Sequence, residues 1–384
     1  MKAEADFLKR RLAYPSYRQP SHVTFGTGSV RVLADPQMLD RAVLLVSGAA
    51  GVRDTLSAAF AKQGVPWSSL RTLTKPQGEP TGDSISAGAV WLSANEHDAV
   101  IAVGGGSVLD WARLAVAASR GWLDLDSGRL RASTPRLEPS EIVLVPTTCG
   151  SGAEAAGVAV YALNDRKVPV VSDAFLADRV ILDAQFLSTA QPVALASWLC
   201  DALSHSIEAF VSIVPNGLAK QAALSALATI LQHHSAHDAH CRNERLMEAG
   251  YLGGVAASNC SVGVTHAFAH SIAYYGVPHG VGNALGLAAG IATNAETSEM
   301  HALLERARFK STDALTAAMD PIISTALADS RAKRARAALD ASADREDVVK
   351  RMLSDVCLRT NPRRLDREGV LAFLEHVDRL LAPI

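Results

Sequence analysis

The sequence predicts an α/β N-terminal half built on a parallel sheet and an all-helical C-terminal half. Three observations carry this. Short apolar, β-branched runs end in small or turn-forming residues at 42–48 (AVLLVSG), 98–106 (DAVIAVGGG) and 141–148 (EIVLVPTT). Helical stretches lie between them: DTLSAAFAKQG, SISAGAVWLSANE and VLDWARLAVAASR. From about residue 186 the pattern changes to long Ala- and Leu-rich segments with few strand-like runs. Strands alternating with helices mean a parallel sheet with helices packed on it.

The segment VAVYALNDRKVPVVS (158–172) differs from its neighbours. Two strand-like runs flank Asn164-Asp165-Arg166, which predicts a hairpin. The change of pattern places a domain boundary near Asp183, giving domains 1–183 and 184–384. In the second, SHSIEAFVS, GLAKQAALSALATILQHH, ERLMEAGYLGGVAASN and ALGLAAGIATNAE read as helices. The charged stretch 329–351 reads as a pair of solvated helix faces.

A chain of 384 residues can bury a sizeable core in two domains. Apolar residues at 48% and charged residues at 20% are ordinary for a globular protein. A net charge of −2 gives no reason to expect nucleic acid or an anionic membrane as partner. No uncharged apolar run reaches the roughly 18 residues of a membrane-spanning helix. The opening MKAEADFLKRRLAYPS lacks the apolar core of a signal peptide. Five scattered cysteines (149, 200, 241, 260, 357) without CxxC spacing argue against a disulfide framework or a Cys-rich zinc site, and for a reducing cytoplasm.

Two loops suit a nucleotide. VGGGSVLDWAR (103–113) follows a strand and opens a helix. Gly104, Gly105 and Gly106 let the backbone approach a ligand closely, and the helix N-terminus behind them favours phosphate. Ser107 can cap that helix or donate to a phosphate oxygen. The competing reading is a tight strand-to-helix turn, since this is not the GxGxxG fingerprint. PTTCGSGAE (146–154) is a second such turn, where Thr147 and Thr148 can reach a nucleotide. Loops at strand C-termini are where open α/β sheets bind ligands.

Two other segments suit a metal. Asp201 and His205 are four apart in DALSHSIEAF, so a helix projects both from one face. His266 and His270 repeat that spacing in THAFAHSIAYYGVPHG, and His279 follows in a Pro-His-Gly turn. One carboxylate with imidazoles fits iron or zinc far better than calcium or magnesium. A lone histidine on an apolar helix is more often structural, and a rival cluster exists at His233, His234, His237 and His240. That cluster reads as a solvent-facing helix end. The first two segments hold their histidines among small and apolar residues, where a buried unpartnered imidazole is costly and a shared ligand explains them together.

GGGSVLDWAR, PTTCGSGAE, DALSHSIEAF and HAFAH…GVPHGVGNAL, in this order, resemble the iron-containing (group III) alcohol dehydrogenases. The likeness runs from FGTGS (25–29) to NPRRLD (361–366). It implies a Rossmann-like N-terminal domain and an all-α C-terminal domain with a cleft between them, the dehydroquinate synthase-like fold. It also implies an NAD(P)-dependent enzyme, usually a dimer or larger; here a homodimer is expected. By motif, Asp201, His205, His266 and His279 would hold Fe(II) or Zn(II). His270 would lie near the nicotinamide and substrate. Gly104, Gly105, Gly106 and Ser107 would hold the pyrophosphate, with Asp110 in the same motif. Thr147 and Thr148 would contact the cofactor, and Lys167 would reach its ribose.

Three departures stand out. Arg113 replaces the usual Lys of the glycine-loop motif, with its charge kept. Gly150-Ser151-Gly152-Ala153-Glu154 replaces the usual Gly-Thr-Gly-Ser-Glu. Gly48 stands where NAD-preferring members often carry Asp; without that carboxylate NADP(H) is tolerated as well as NAD(H). The implied reaction is metal-assisted hydride transfer to a small aldehyde or from a small alcohol, with His270 as proton relay or as a packing group. The substrate stays open among a short aliphatic aldehyde, a diol and a small phosphonate, sulfonate or carboxylate aldehyde. Rivals are a dehydroquinate-synthase-like lyase using NAD transiently, a non-catalytic regulator, and a maleylacetate-reductase-like enzyme. The first needs more basic residues than the metal segments carry. The regulator is disfavoured by the four intact ligand positions, and the last by intact Asp201 and His205.

Overall fold

The computed structural model describes residues 12, 13, 15–131, 140–163 and 166–382. The chain divides into two compact units. Gln19–Ala190 and His237–Tyr251 form an α/β unit, and Gln191–Ala236 with residues 252–382 and the described residues before Gln19 form a helical unit. The first division point lies a few residues past Asp183. Its carboxylate accepts hydrogen bonds from Gly28, Val30 and Gln185 N–H at 2.9–3.0 Å, and Phe186 joins the α/β core, which keeps this stretch with the sheet.

In the α/β unit the elements run β1 (His22–Phe25), α1 (Pro36–Asp40), β2 (Ala42–Val46), α2 (Ala50–Ala61), β3 (Thr72–Thr74), α3 (Gly82–Ala94), β4 (Ala99–Gly104), α4 (Gly106–Ser119), β5 (Leu123–Asp124), β6 (Arg129–Leu130), β7 (Glu141–Pro146), β8 (Val158–Leu163), β9 (Arg166–Val171) and β10 (Arg179–Leu182). Six strands form a parallel sheet in the order β1-β10-β7-β4-β2-β3. The central β2 and β4 are buried throughout, as unbroken apolar runs in a doubly covered sheet must be. Leu44, Leu56, Phe60, Ile101 and Val143 anchor one core. β8 and β9 form the expected antiparallel hairpin; Asn164 and Asp165 lie outside the described residues, as does most of the charged N-terminal segment.

The helical unit contains α5 (Pro192–Val211), α6 (Gly217–His233), the end of α7 (Ala239–Cys260), α8 (Val264–Ala273), α9 (His279–Thr293), α10 (Ser298–Ala307), α11 (Thr312–Leu327), α12 (Ala332–Asp340), α13 (Ser342–Ser354) and α14 (Arg367–Leu381). Proline opens α5 at its first turn, where its missing N–H costs nothing. From Leu199 to Val211 that helix is buried on every side, so it is the centre of the unit. It packs against α6, α9 and α11. A second core gathers Phe268, Leu285, Leu339, Met352 and Phe373. The 329–351 stretch forms α12 and α13 with mixed exposed and buried faces. Among the described residues no helix is long and apolar enough to cross a membrane.

Candidate metal centre and nucleotide loops

Helix α5 brings Asp201, His205 and Glu208 to one face at positions i, i+4 and i+7. All three are buried. Helix α8 supplies His266 and, one turn on, His270. His279 is the first residue of α9, behind Pro278, and so opens a helix instead of sitting in a turn. Its approach depends on Gly280: a Cβ there would run into the backbone carbonyl of Ser197 on α5.

Three imidazoles surround one carboxylate oxygen. From Asp201 Oδ1 the Nε2 atoms of His266 and His279 both stand at 3.5 Å and that of His205 at 3.8 Å. A four-coordinate first-row ion with bonds of about 2.1 Å puts neighbouring ligand atoms about 3.4 Å apart. Ligand atoms of Asp201, His266 and His279 all lie within 4.8 Å of one another. His205 lies just outside that trio, its ring stacked on His266 with centroids 4.6 Å apart.

The electrostatics favour a cation. Burial works against an ionised Asp201, but His205, His279 and His266 outweigh it and hold the carboxyl well below its ordinary range. Burial likewise opposes a charged His266, yet Asp201 and Glu208 push its pKa up to about 9. Two buried carboxylates thus draw positive charge into this spot. His266 Nε2 is buried with no hydrogen-bond partner. A buried ring nitrogen left without a partner is costly, and a metal there would satisfy it. On these grounds the residues fit iron or zinc.

Residues the sequence did not single out support the cluster. Glu208 Oε2 accepts from His266 Nδ1 at 2.7 Å. Asn283 Nδ2 donates to Asp201 Oδ1 at 2.8 Å. Asp355 Oδ2 lies 2.9 Å from His270 Nδ1; despite burial, that contact and the Cys357 N–H bring the Asp355 pKa down to about 2. Both Glu208 and Asn283 fall inside the quoted motifs, but an acid or amide on a helix ordinarily signals a solvated face. The aromatic residues near the metal segment pack elsewhere. Phe268 packs at a tilt against Phe373 in the core, Tyr275 donates to Asp347, and Tyr274 lies under Arg351. The rival histidines sit at the end of α6 and beyond, with His237 and His240 exposed.

In the α/β unit the expected nucleotide residues gather at strand C-termini. β2, β4 and β7 are neighbours, with Ser47 N–H bound to Val103 O and Thr147 N–H to Gly104 O. Gly48, Gly104–Ser107 and Thr147–Thr148 therefore leave the sheet side by side. Gly105 is the N-cap of α4 and carries no side chain, so no side chain caps this helix. Ser107 sits inside the first turn and does not cap it. A Cβ on Gly104 would lie 2.6 Å from Val108, and one on Gly106 would lie 2.8 Å from Ser151, so packing alone demands glycine at both.

Asp110 is committed to the protein: Oδ1 accepts from Arg113 at 2.6 Å and Oδ2 from Val160 N–H at 3.0 Å. Arg113 is fully buried and donates to the carbonyls of Leu109, Ala156, Val158 and Phe175. The pair ties the hairpin to the glycine-loop helix. Lys167, on β9, pairs with Glu79 at 2.8 Å beside the isolated bridge between Thr81 and Ala162.

Comparison with known proteins agrees with this architecture. Residues 20–184 match the family described as iron-containing alcohol dehydrogenase, and residues 196–377 match the C-terminal region of the Fe-containing alcohol dehydrogenase family. The chain is 31% identical to the probable alcohol dehydrogenase EutG of Salmonella typhimurium, over 84% of this chain and 82% of that one. It is 28% identical to the sulfoacetaldehyde reductase of Bilophila wadsworthia, over 85% and 87%. The iron-containing alcohol dehydrogenase of Thermococcus thioreducens superposes with a TM-score of 0.81 at 20% identity, covering 94% of this chain and all of that one. With both halves matched in order and the dinucleotide-type sheet and helical unit in place, the chain belongs to the iron-containing alcohol dehydrogenase family.

Proposed function

We propose that this chain is a metal-dependent, NAD(P)-linked alcohol dehydrogenase that interconverts a small alcohol and its aldehyde, with Asp201, His205, His266 and His279 as metal ligands. The observation that carries it is the ring of three imidazole Nε2 atoms around Asp201 Oδ1. A metal held there would supply Lewis-acid polarisation of the substrate oxygen, and a bound nicotinamide would supply hydride chemistry. The protein does the rest. Gly104, Gly105, Gly106 and Ser107 cradle the pyrophosphate with backbone N–H groups at the α4 N-terminus. Thr147 and Thr148 bind alongside, and Lys167 reaches the ribose. Asp110 fixes the frame of this loop through Arg113. His270, held at Nδ1 by Asp355, keeps Nε2 for the proton that leaves or joins the substrate oxygen.

Within this reading the domains divide the work, 1–183 for the dinucleotide and 184–384 for the metal. Gly48 favours acceptance of NADP(H) beside NAD(H). Iron and zinc both suit the ligand set. The aldehyde class includes anionic members such as sulfonate or phosphonate aldehydes, in line with the activity named for the Bilophila relative. The enzyme works in the cytoplasm as a homodimer; the edge strand β1, with Phe25 63% exposed, offers a pairing surface.

The test is NADPH and NADH oxidation against a panel of neutral and anionic short aldehydes, with and without Fe(II) or Zn(II). Metal-dependent turnover of one class supports the reading and names the substrate type. No turnover across the panel, with metal and nucleotide both bound, overturns it.

A further inference from the structure

Glu208 follows Asp201 by two turns and His205 by one, yet it is not a ligand in the reading above. Its carboxylate is almost fully buried, with 3% of the side chain exposed. It accepts hydrogen bonds from the start of α8, among them Thr265 N–H at 2.6 Å, His266 N–H at 3.4 Å and His266 Nδ1 at 2.7 Å. Helix α8 has no side-chain cap of its own, because its N-cap is Gly263. One carboxylate from α5 therefore caps α8 and grips the first imidazole on it.

We propose that Glu208 is the positioning residue of the metal centre: by accepting the Nδ1 proton of His266 it fixes the tautomer whose Nε2 lone pair faces Asp201, and so sets the site's metal affinity. The inference rests on the metal reading above. Both Glu208 oxygens already accept from backbone N–H groups at the start of α8, so the carboxylate is placed as an acceptor; Nδ1 donates to it, and a neutral ring then has its free lone pair on Nε2. Glu208 holds both the ring and the backbone N–H of this residue. Outer partners of metal-bound histidines act this way in general, and losing one typically costs ten- to a hundredfold in metal affinity.

A glutamine at this position keeps the size and exposes the logic. If its oxygen stays on Thr265 N–H, its NH2 group faces Nδ1, which must then accept, and the proton moves to Nε2 and blocks the lone pair. If the amide flips, NH2 meets the Thr265 N–H donor to donor. Neither arrangement restores the native one.

The experiment compares zinc affinity of the metal-free full chain and of Glu208→Gln by competition with a chromophoric chelator. Thermal unfolding without metal and NADPH affinity serve as controls for folding. The expected result is zinc binding weakened ten- to a hundredfold in Glu208→Gln, with Glu208→Asp closer to the unaltered chain because it keeps an acceptor-only group. Equal affinity in the unaltered chain and Glu208→Gln overturns the proposal. A second measurement needs no variant: ring nitrogen chemical shifts of His266 in the zinc-loaded chain should show a protonated Nδ1 and a metal-bound Nε2. The opposite assignment overturns the proposal even with zinc bound. If the unaltered chain takes up no zinc at all, the metal reading itself fails and this inference goes with it.

Discussion

His270 and Asp355 stand 85 residues apart in sequence and 2.9 Å apart in space, Nδ1 to Oδ2. Asp355 also accepts from Cys357 N–H at 2.8 Å, which pins the carboxylate at the start of a short 3-10 turn. The imidazole is thereby held in one tautomer, with Nε2 available. Asp355→Asn should lower kcat about 10- to 100-fold, because an amide can turn NH2 toward Nδ1 and invert the tautomer. Bound metal, measured by elemental analysis, should stay at the unaltered level. His270→Ala should slow turnover similarly and keep its metal; loss of metal in that variant would make His270 a ligand and change the ligand set.

Metal removal separates ligands from bystanders. Dialysis against a strong chelator should abolish turnover, and Fe(II) or Zn(II) should restore it. Asp201 and His266 are buried together, so their removal leaves the remaining site charges uncompensated. His279→Ala, at the more exposed rim, should fold but retain no metal and show no activity. A ligand that binds only the folded state stabilises it by about 2.7 kcal/mol at a hundredfold excess over Kd. Zinc should therefore raise the unfolding temperature of the unaltered chain and leave that of His279→Ala unmoved. A His279→Ala variant that keeps metal-dependent activity would contradict the assignment.

Some of this was legible from the sequence, and the reasons are physical. β2, β4 and β7 show as buried apolar runs because both faces of the sheet are covered. The pairs 201/205 and 266/270 show because helical spacing puts them on one face among small residues. The short strands do not show. β1 is an edge strand with an exposed, irregular pattern, and β3 has only three residues. Ser107 looks like a cap because hydroxyls usually are, but Gly105 occupies that position. Arg113 reads as a replacement of the usual Lys that keeps its charge, whereas its burial and its carbonyl partners make it a hub that no local pattern reveals. Asp355 carries no periodic signal toward His270, since only the tertiary fold joins them.

Gly48 leaves β2 with room around it. A Cβ there would meet only Thr74 Cγ2, at 3.5 Å, an ordinary contact. Gly48→Asp should therefore fold normally. Placed beside the ribose, its carboxylate would bind the hydroxyls of NADH and repel the 2′-phosphate of NADPH. The ratio of kcat/KM for NADH over NADPH should rise at least tenfold relative to the unaltered enzyme, whose own ratio should stay below ten. An unchanged ratio in Gly48→Asp would place the ribose elsewhere.

Glu154, in the loop after β7, is 2% exposed, and its Oε2 has no hydrogen-bond partner. Burial pushes its pKa from 4.5 up to about 7; its own backbone N–H and Arg113 pull the other way, and Asp110 adds to the rise. The folded state therefore holds this proton more tightly than the unfolded chain does. Stability from this group is complete below about pH 4.5 and is lost as pH rises through about 7. At 1.36 kcal/mol per pKa unit, the loss is about 3 kcal/mol. Glu154→Gln keeps the size without the charge, so it should match the unaltered protein near pH 4.5 and exceed its stability by that amount at pH 8. Urea unfolding at the two pH values, followed by a probe in the α/β unit, measures the difference. A gap of the same size at both pH values would mean that the substitution acts through packing and not through the proton.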